Sequence, residues 1–185
     1  FERHGWGSGY LVDPQYGAVV YKISEDGLWR FTFAEDATEP TEGTRDRIAR
    51  FAAQVLPGKG DYELVLFSSY NMHQRSATSY RAGRVLLAGD AAHLTNPTSG
   101  FGLMGGMYDS FLLTHCLTAV IEGHAPDDIL DRYSQARRDV FDRVTSPVST
   151  ESLRLVFHST DADRLALDLA VLRGRKDDPD TMRAF

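Results

Sequence analysis

Cysteine is nearly absent. Cys116 is the single one among 185 residues, so no internal disulfide framework can form, and a reducing, cytoplasmic setting is the expectation. Its place in SFLLTHCLTAVI predicts a small apolar core residue. Basic charge is also short: 20 Lys and Arg stand against 26 Asp and Glu, a net charge of −6. That argues against sequence-independent nucleic-acid binding, which needs basic surface. No apolar run reaches the length of a membrane span, and no signal-peptide pattern opens the chain. Hydrolase and metal signatures are missing too. No serine sits in G-x-S-x-G, the 6 histidines are scattered with no H-x-x-x-H, and there is no P-loop. The chain opens at Phe1 and runs straight into GWGSGYLVDP, which reads as the middle of a longer protein.

What is present reads as sheet first and helix later. Residues 18–24 (AVVYKIS) and 28–34 (LWRFTFA) alternate apolar and polar side chains around Asp26-Gly27, a hairpin signal because Asp-Gly tolerates the positive φ of a tight turn. In TRDRIARFAAQVL, Ile48, Phe51, Ala52, Val55 and Leu56 form a helical stripe, stopped by Pro57-Gly58. Residues 62–80 (YELVLFSSYNMHQRSATSY) are β-rich and predict one long or bent strand. Residues 84–88 (RVLLA) are a short apolar run ending at Gly89-Asp90, the signature of a buried strand such as parallel sheets contain. From Leu103 the pattern turns helical, with Phe111, Leu112, Cys116, Leu117, Val120 and Ile121 on a broad apolar face and Gly123 as the stop. Pro126 opens a second helix, with Asp127 and Asp128 in its first turn, running to about Val144 and ending before Pro147. STESLRLVF and DADRLALDLAVLR predict two more, the last closed by Gly174, ahead of an exposed tail, KDDPDTMRAF. The fold class is therefore mixed α/β, with a change of character near Gly83.

Residues 83–110, GRVLLAGDAAHLTNPTSGFGLMGGMYDS, contain a literal G-x-G-x-x-G at Gly100, Gly102 and Gly105. A dinucleotide fingerprint places its first glycine in the turn directly after a strand. Here Gly100 comes 11 positions after Gly89, Asn96-Pro97 intervenes, and helix rather than an acid-bearing strand follows. The letters match and the context does not. Two readings of the glycines remain: close packing of a helix on a strand, or backbone N–H groups approaching a ligand where a helix begins. Asp90 weighs for the second. It follows an apolar strand and a glycine, where α/β sheets bind ligands, and a carboxylate there accepts hydrogen bonds from ligand hydroxyls.

Residues 83–93, Pro97, Gly100, Gly102, Gly106 and Asp109 match G-R-V-x-L-A-G-D-A-A-H followed by P-x-x-G-x-G-x-N-x-G-x-x-D-A. The chain thereby resembles the flavin-dependent aromatic hydroxylases, single-component FAD monooxygenases with a p-hydroxybenzoate-hydroxylase-like fold. HQRSATSYRAGRV upstream and LLTHCLTAVIEGHAPDDILDRYSQARRDV downstream are similar to the phenol and phenylpropionate hydroxylase branch. The resemblance implies an incomplete FAD-binding fold of that kind. Residues 1–82 would be part of a substrate-binding β-sheet domain, 83–123 the C-terminal part of the FAD-binding domain, and 124–185 the C-terminal helices.

The resemblance also implies roles. Asp90 would hydrogen-bond the ribityl chain, and Pro97 would lie beside the isoalloxazine ring. The backbone of Gly100, Phe101, Gly102, Leu103 and Met104, with Gly106 beyond, would face the pyrimidine end, where reduced flavin is anionic. Asp109 would secure the first turns of the helix, and His93 would be either a flavin neighbour or a structural residue. Two positions depart from the family: Met104 replaces an asparagine and cannot make amide hydrogen bonds, and Ser110 replaces an alanine. The family's pyrophosphate loop and its D-G motif would precede Phe1, so the missing N-terminal part is itself an expected partner, and the chain alone would not hold FAD tightly.

The implied reaction is hydroxylation of a phenolic ring by O2, with NAD(P)H as co-substrate and a flavin hydroperoxide as oxygen donor. Tyr70, His73 and Arg75 are the candidate substrate contacts. Period-two alternation puts Tyr70 with Met72 and Gln74, and His73 with Arg75. Arg75 could hold a substrate carboxylate or serve a structural ion pair. Two other readings stay open: the same Asp90 motif in a flavoenzyme of other chemistry, such as a reductase or halogenase, and a non-catalytic flavin-fold module.

Overall fold

The alternation around Asp26-Gly27 folds as a hairpin in the computed structural model, which describes residues 5, 7–56 and 62–176. Strands β2 (Ala18–Lys22) and β3 (Trp29–Phe33) pair antiparallel, Val20 opposite Phe31. Gly27 takes a positive φ of 87° at the turn, and the Ile23 N–H donates to the Leu28 carbonyl at 2.8 Å. A third strand, β1 (Gly9–Leu11), adds to the other edge of β2. It is three residues long with a glycine in it, too short for a periodicity signal. Helix α1 (Thr44–Val55) forms over the expected stripe and buries Phe51 and Ala52. Phe51 stacks on Phe33 with ring centroids 4.1 Å apart, and Ala18, Val20 and Phe51 make this unit's core. The Pro57-Gly58 stop and the tail from residue 177 lie outside the described residues.

Two compact units divide the chain. The sheet and α1 belong to the unit that extends to Ser69 and resumes at Arg154; Tyr70–Leu153 form the other. In the first, α5 (Ala162–Lys176) is capped by Asp161, whose carboxylate accepts the N–H groups of Asp163 and Arg164 at 3.0 Å each. Its Asp168 takes a 2.6 Å bond from Arg154. Helix α5 runs through Gly174 instead of stopping there. One glycine costs a helix about 1 kcal/mol, which does not end it unaided.

The second unit corrects three expectations. Residues 62–80 are not one strand: only β4 (Arg75–Ser76) is extended in a ladder, paired antiparallel with β7 (His93–Leu94). β-rich composition becomes a strand only where a neighbour supplies ladder bonds, and among the described residues 62–74 have none. The 84–88 run is not a buried parallel strand either. Its extended part, β6 (Val85–Leu86), turns back antiparallel on β5 (Arg81–Ala82), and Val85 is 63% exposed. Third, helix α3 (Ile129–Val140) does not end before Pro147. It passes through a π-helical turn (Phe141–Thr145) into α4 (Ser146–Phe157). The Ser146 N–H closes the π turn on the Phe141 carbonyl, so the register changes where Pro147 has no N–H to offer.

Helix α2 (Phe101–Ile121) starts two residues before the expected point. Leu112, Leu113, Cys116, Leu117 and Val120 face a core of Tyr80, Ala92, Leu130 and Tyr133, so Cys116 is the buried apolar residue expected. Phe111 and Ile121, expected on the same face, are exposed instead. Helix α3 is fastened to the unit by polar bonds as well. The Tyr133 hydroxyl donates to the Leu87 carbonyl at 2.7 Å, Ser134 Oγ accepts the Tyr80 N–H at 2.9 Å, and Arg138 reaches the Thr78 carbonyl at 2.7 Å. No described helix is long and apolar enough to cross a membrane.

Candidate functional site

Beyond β6 the chain makes two tight 3-10 turns before entering α2, and the candidate residues sit on them. The first turn, Gly89–Ala91, carries Asp90. Its carboxylate is exposed and has no partner among the described residues. The second, Pro97–Ser99, is capped by Asn96, whose Oδ1 accepts the Thr98 N–H at 3.1 Å, with Pro97 at a position where a missing N–H costs nothing. Gly100 then takes φ of +74°, the left-handed conformation that reverses the chain into α2 and that other residues adopt only under strain. Pro97 and Gly100 are exposed, Phe101 and Gly102 half-buried, and Leu103 and Met104 exposed.

One buried carboxylate holds this arrangement together. Asp109 is 0% exposed. Its Oδ2 accepts the Gly89 N–H at 2.9 Å and His93 Nε2 at 2.7 Å, and its Oδ1 accepts Arg137 Nε at 2.5 Å. Arg137 also reaches the Gly105 carbonyl at 3.3 Å. Burial pushes the Asp109 carboxyl up, yet the bonds from His93, Arg137 and Gly89 outweigh it and hold it below its ordinary value. His93 is buried against Phe141, ring centroids 5.0 Å apart. Asp109 therefore does not secure its own helix's first turn. It ties the Asp90 turn and α3 to the middle of α2.

The glycines divide their labour. A Cβ on Gly106 would stand 3.2 Å from Gly89 Cα, and one on Gly105 3.2 Å from His93 Cε1, so these two let the Asp90 turn press against α2. Around Gly100 there is open space, and a Cβ on Gly102 would meet only Thr95 at an ordinary 3.5 Å.

The structure gathers Asp90, Pro97, Gly100, Phe101, Gly102, Leu103 and Met104 on one continuous turn–turn–helix segment. The substrate candidates are placed less tightly. Tyr70, His73 and Arg75 are all exposed, and the expected alternation holds from residue 72 to 75, of which only Arg75 lies in a ladder: Met72 and Gln74 are half-buried while His73 and Arg75 face solvent. Tyr70 departs from its expected partners, being 58% exposed. Arg75 makes no ion pair among the described residues and lies opposite Leu94 across β4–β7. Asn96, Gln74, Arg137 and Ser149, which position these segments, were not foreseen. Asn96-Pro97 does carry a cap signal, Asn before Pro; the other three come from distant elements with no local signal.

A family model described as FAD binding domain matches residues 13–147. Over all of this chain, 6-hydroxy-3-succinoylpyridine 3-monooxygenase HspB of Pseudomonas putida is 41% identical, with 50% of its own length covered. Para-nitrophenol 4-monooxygenase of a Pseudomonas species is 39% identical, with 47% covered. The crystal structure of p-nitrophenol 4-monooxygenase PnpA from Pseudomonas putida superposes over 100% of this chain and 47% of its own, at a TM-score of 0.90 and 38% identity. The chain thus spans about half the length of the relatives it matches, and its mixed helix-and-strand architecture is that of the p-hydroxybenzoate-hydroxylase-like flavoproteins. The chain belongs to the FAD binding domain family, and the relatives it matches over its whole length are monooxygenases.

Proposed function

We propose that the intact protein is an FAD-dependent monooxygenase of a hydroxylated aromatic ring, and that this chain supplies the flavin-ring side of its site. The observation that carries the reading is the Asp90 carboxylate, exposed and unpartnered among the described residues, on a turn clamped to the middle of α2, the helix whose first turn is partly exposed. That donor set fits FAD. Asp90 would accept hydrogen bonds from ribityl hydroxyls. The first-turn N–H groups of α2 have no intrahelical partners and would face the ring's anionic edge, an interaction of about 0.3–1 kcal/mol. Pro97, Leu103 and Met104 would give apolar contact, Met104 in place of an amide. Bound FAD supplies the redox chemistry: electrons from NAD(P)H activate O2, one oxygen goes to the ring and the other leaves as water. The chain's own residues bind, orient and exclude water. The lone, buried Cys116 fits a cytoplasmic protein.

The relatives' names sharpen the substrate class. By ring numbering, para-nitrophenol 4-monooxygenase and 6-hydroxy-3-succinoylpyridine 3-monooxygenase both act at a ring carbon that already carries a substituent, para to the hydroxyl. For this protein we infer the same: oxygen delivered para to a ring hydroxyl, at a substituted carbon. With p-nitrophenol the new C–O bond replaces the C–N bond, the nitro group leaves as nitrite with the bonding pair, the ring hydroxyl gives up its proton and the ring is released as a quinone. His73 or Tyr70 would bond that hydroxyl and favour its electron-rich phenolate, and Arg75 would hold an anionic substituent. The test is steady-state turnover of the intact protein with p-nitrophenol and with unsubstituted phenol under 18O2. The expected result is NAD(P)H oxidation stimulated by p-nitrophenol and one labelled oxygen at its carbon 4. NAD(P)H oxidation without an oxygenated product would favour a reductase, and absence of flavin from the intact protein would favour a non-catalytic module.

A further inference from the structure

We propose that Asn96 is a positioning residue for the flavin-facing turn, and that through Gln74 it locks the His73–Arg75 segment to that turn. The proposal rests on the FAD reading above. Asn96 is buried, and each of its amide atoms is used. Oδ1 accepts the Thr98 N–H at 3.1 Å, while Nδ2 donates to the Ser149 carbonyl at 3.0 Å and to Gln74 Oε1 at 2.6 Å. Gln74 Nε2 in turn donates to the Ser146 carbonyl at 2.9 Å, Ser146 Oγ at 2.7 Å and Thr150 Oγ1 at 2.8 Å.

The backbone groups fix which way both amides point. A main-chain N–H can only face Asn96 Oδ1, and main-chain carbonyls can only face the two NH2 groups, so the Asn96–Gln74 bond has one polarity and no alternative. The far end of the turn is fastened to the same stretch, Ser99 Oγ lying 2.6 Å from Ser149 Oγ. Both ends of Pro97–Ser99 are thus anchored to residues 146–150, which leaves Pro97 exposed while Asn96 and Thr98 are buried. Gln74 meanwhile sits between His73 and Arg75, half-buried where they are exposed. One part-buried bond therefore relates two of the three substrate-side candidates to the residue assigned beside the flavin ring. A satisfied network of this kind, buried at its Asn96 end, specifies one arrangement, because a half-broken one is costly.

The experiment uses the intact protein in three forms: unaltered, Asn96→Asp and Gln74→Met. Asn96→Asp keeps the acceptor for Thr98 but turns a carboxylate oxygen toward the Ser149 carbonyl and Gln74 Oε1. Gln74→Met keeps the turn's cap and its Ser149 bond while cutting the link to the 73–75 segment. FAD affinity, the bound-flavin absorption spectrum, and product formed per NAD(P)H with p-nitrophenol are measured beside a thermal melt. Loss of a buried donor predicts that Asn96→Asp weakens FAD binding about tenfold and shifts the spectrum. Gln74→Met should leave FAD affinity within about twofold but raise KM for p-nitrophenol and lower coupling about fivefold or more, at little change in flavin reduction. If both variants melt earlier yet retain unaltered FAD affinity, spectrum, KM and coupling, the network is structural only and the proposal is overturned. An unaltered protein that binds no FAD would overturn the underlying functional reading as well, and is distinguishable because it appears before any substitution.

Discussion

Asp109 is the residue on which the geometry of the candidate site turns, and its chemistry sets a pH signature. A fully buried carboxylate is tolerated only when paired and hydrogen-bonded, and Asp109 has three donors from three places in the chain: Gly89, His93 and Arg137. Because its folded-state pKa is depressed, the stabilisation is present above the ordinary carboxylate value and is lost as pH falls below about 4. On the alkaline side, burial raises the Tyr133 hydroxyl to about 12. A raised acid contributes stability that is intact below the ordinary tyrosine value and disappears as pH climbs through the folded value. Stability of the intact protein, followed by chemical denaturation, should therefore fall at both ends of the pH range. Asp109→Asn should cost about 1–3 kcal/mol near neutrality, since it takes the carboxylate away from the half-buried Arg137. It should also flatten the acid limb. A variant as stable as the parent, with the same acid limb, would mean the buried pair is not what holds the Asp90 turn.

Elements meet at this site through glycines that do different work, and paired substitutions separate them. Gly106→Ala puts a Cβ 3.2 Å from Gly89 Cα. Backbone, not a flexible side chain, must give way, so stability should drop by about 1–3 kcal/mol and FAD binding should weaken with it. Gly102→Ala meets only the Thr95 methyl at 3.5 Å, and alanine favours a helix over glycine by about 0.8–1 kcal/mol. Thermal melts should show that variant equal to or more stable than the parent, while titration shows weaker FAD affinity if that backbone faces the flavin. The contrast also marks what was legible beforehand. The Asp26-Gly27 hairpin, the α1 stripe and the buried Cys116 rest on local patterns that survive in the structure, whereas the Gly174 stop and the Phe111 and Ile121 part of the α2 face do not. The 62–80 strand and the parallel reading of residues 84–88 depended on a ladder neighbour, which composition does not encode. The continuation past Pro147 depended on a π turn. Gln74, Arg137 and Ser149 were illegible for the same reason: each acquires its role from a partner far along the chain, Gln74 from residue 96 and Ser146, Arg137 from Asp109.

At the scale of the whole molecule, α2 is the telling element. Its apolar residues are not confined to the core-facing side: Leu103 is 79% exposed and Phe111 65%, with Met107 and Tyr108 exposed between them. An all-round apolar helix is ordinarily buried, and a contiguous exposed stripe of this kind marks a contact surface. Nothing among the described residues covers it. The glycine pattern in the same region is set too far from its strand to cradle a pyrophosphate, and the relatives matched over this whole chain are about twice as long. On the FAD reading proposed above, part of the cofactor's contacts would lie outside this chain: Asp90 and the start of α2 would serve the ribityl chain and the ring, and the described residues offer no loop for the phosphates. Titration of FAD into the 185-residue chain alone should give a Kd weaker than about 1 μM, and the intact protein should bind far more tightly. The chain should also take up an apolar dye at α2, and Phe111→Ser with Tyr108→Ser should reduce that uptake without restoring FAD affinity. Submicromolar FAD binding by the chain alone would show that its own residues complete the site and that the exposed stripe has some other purpose.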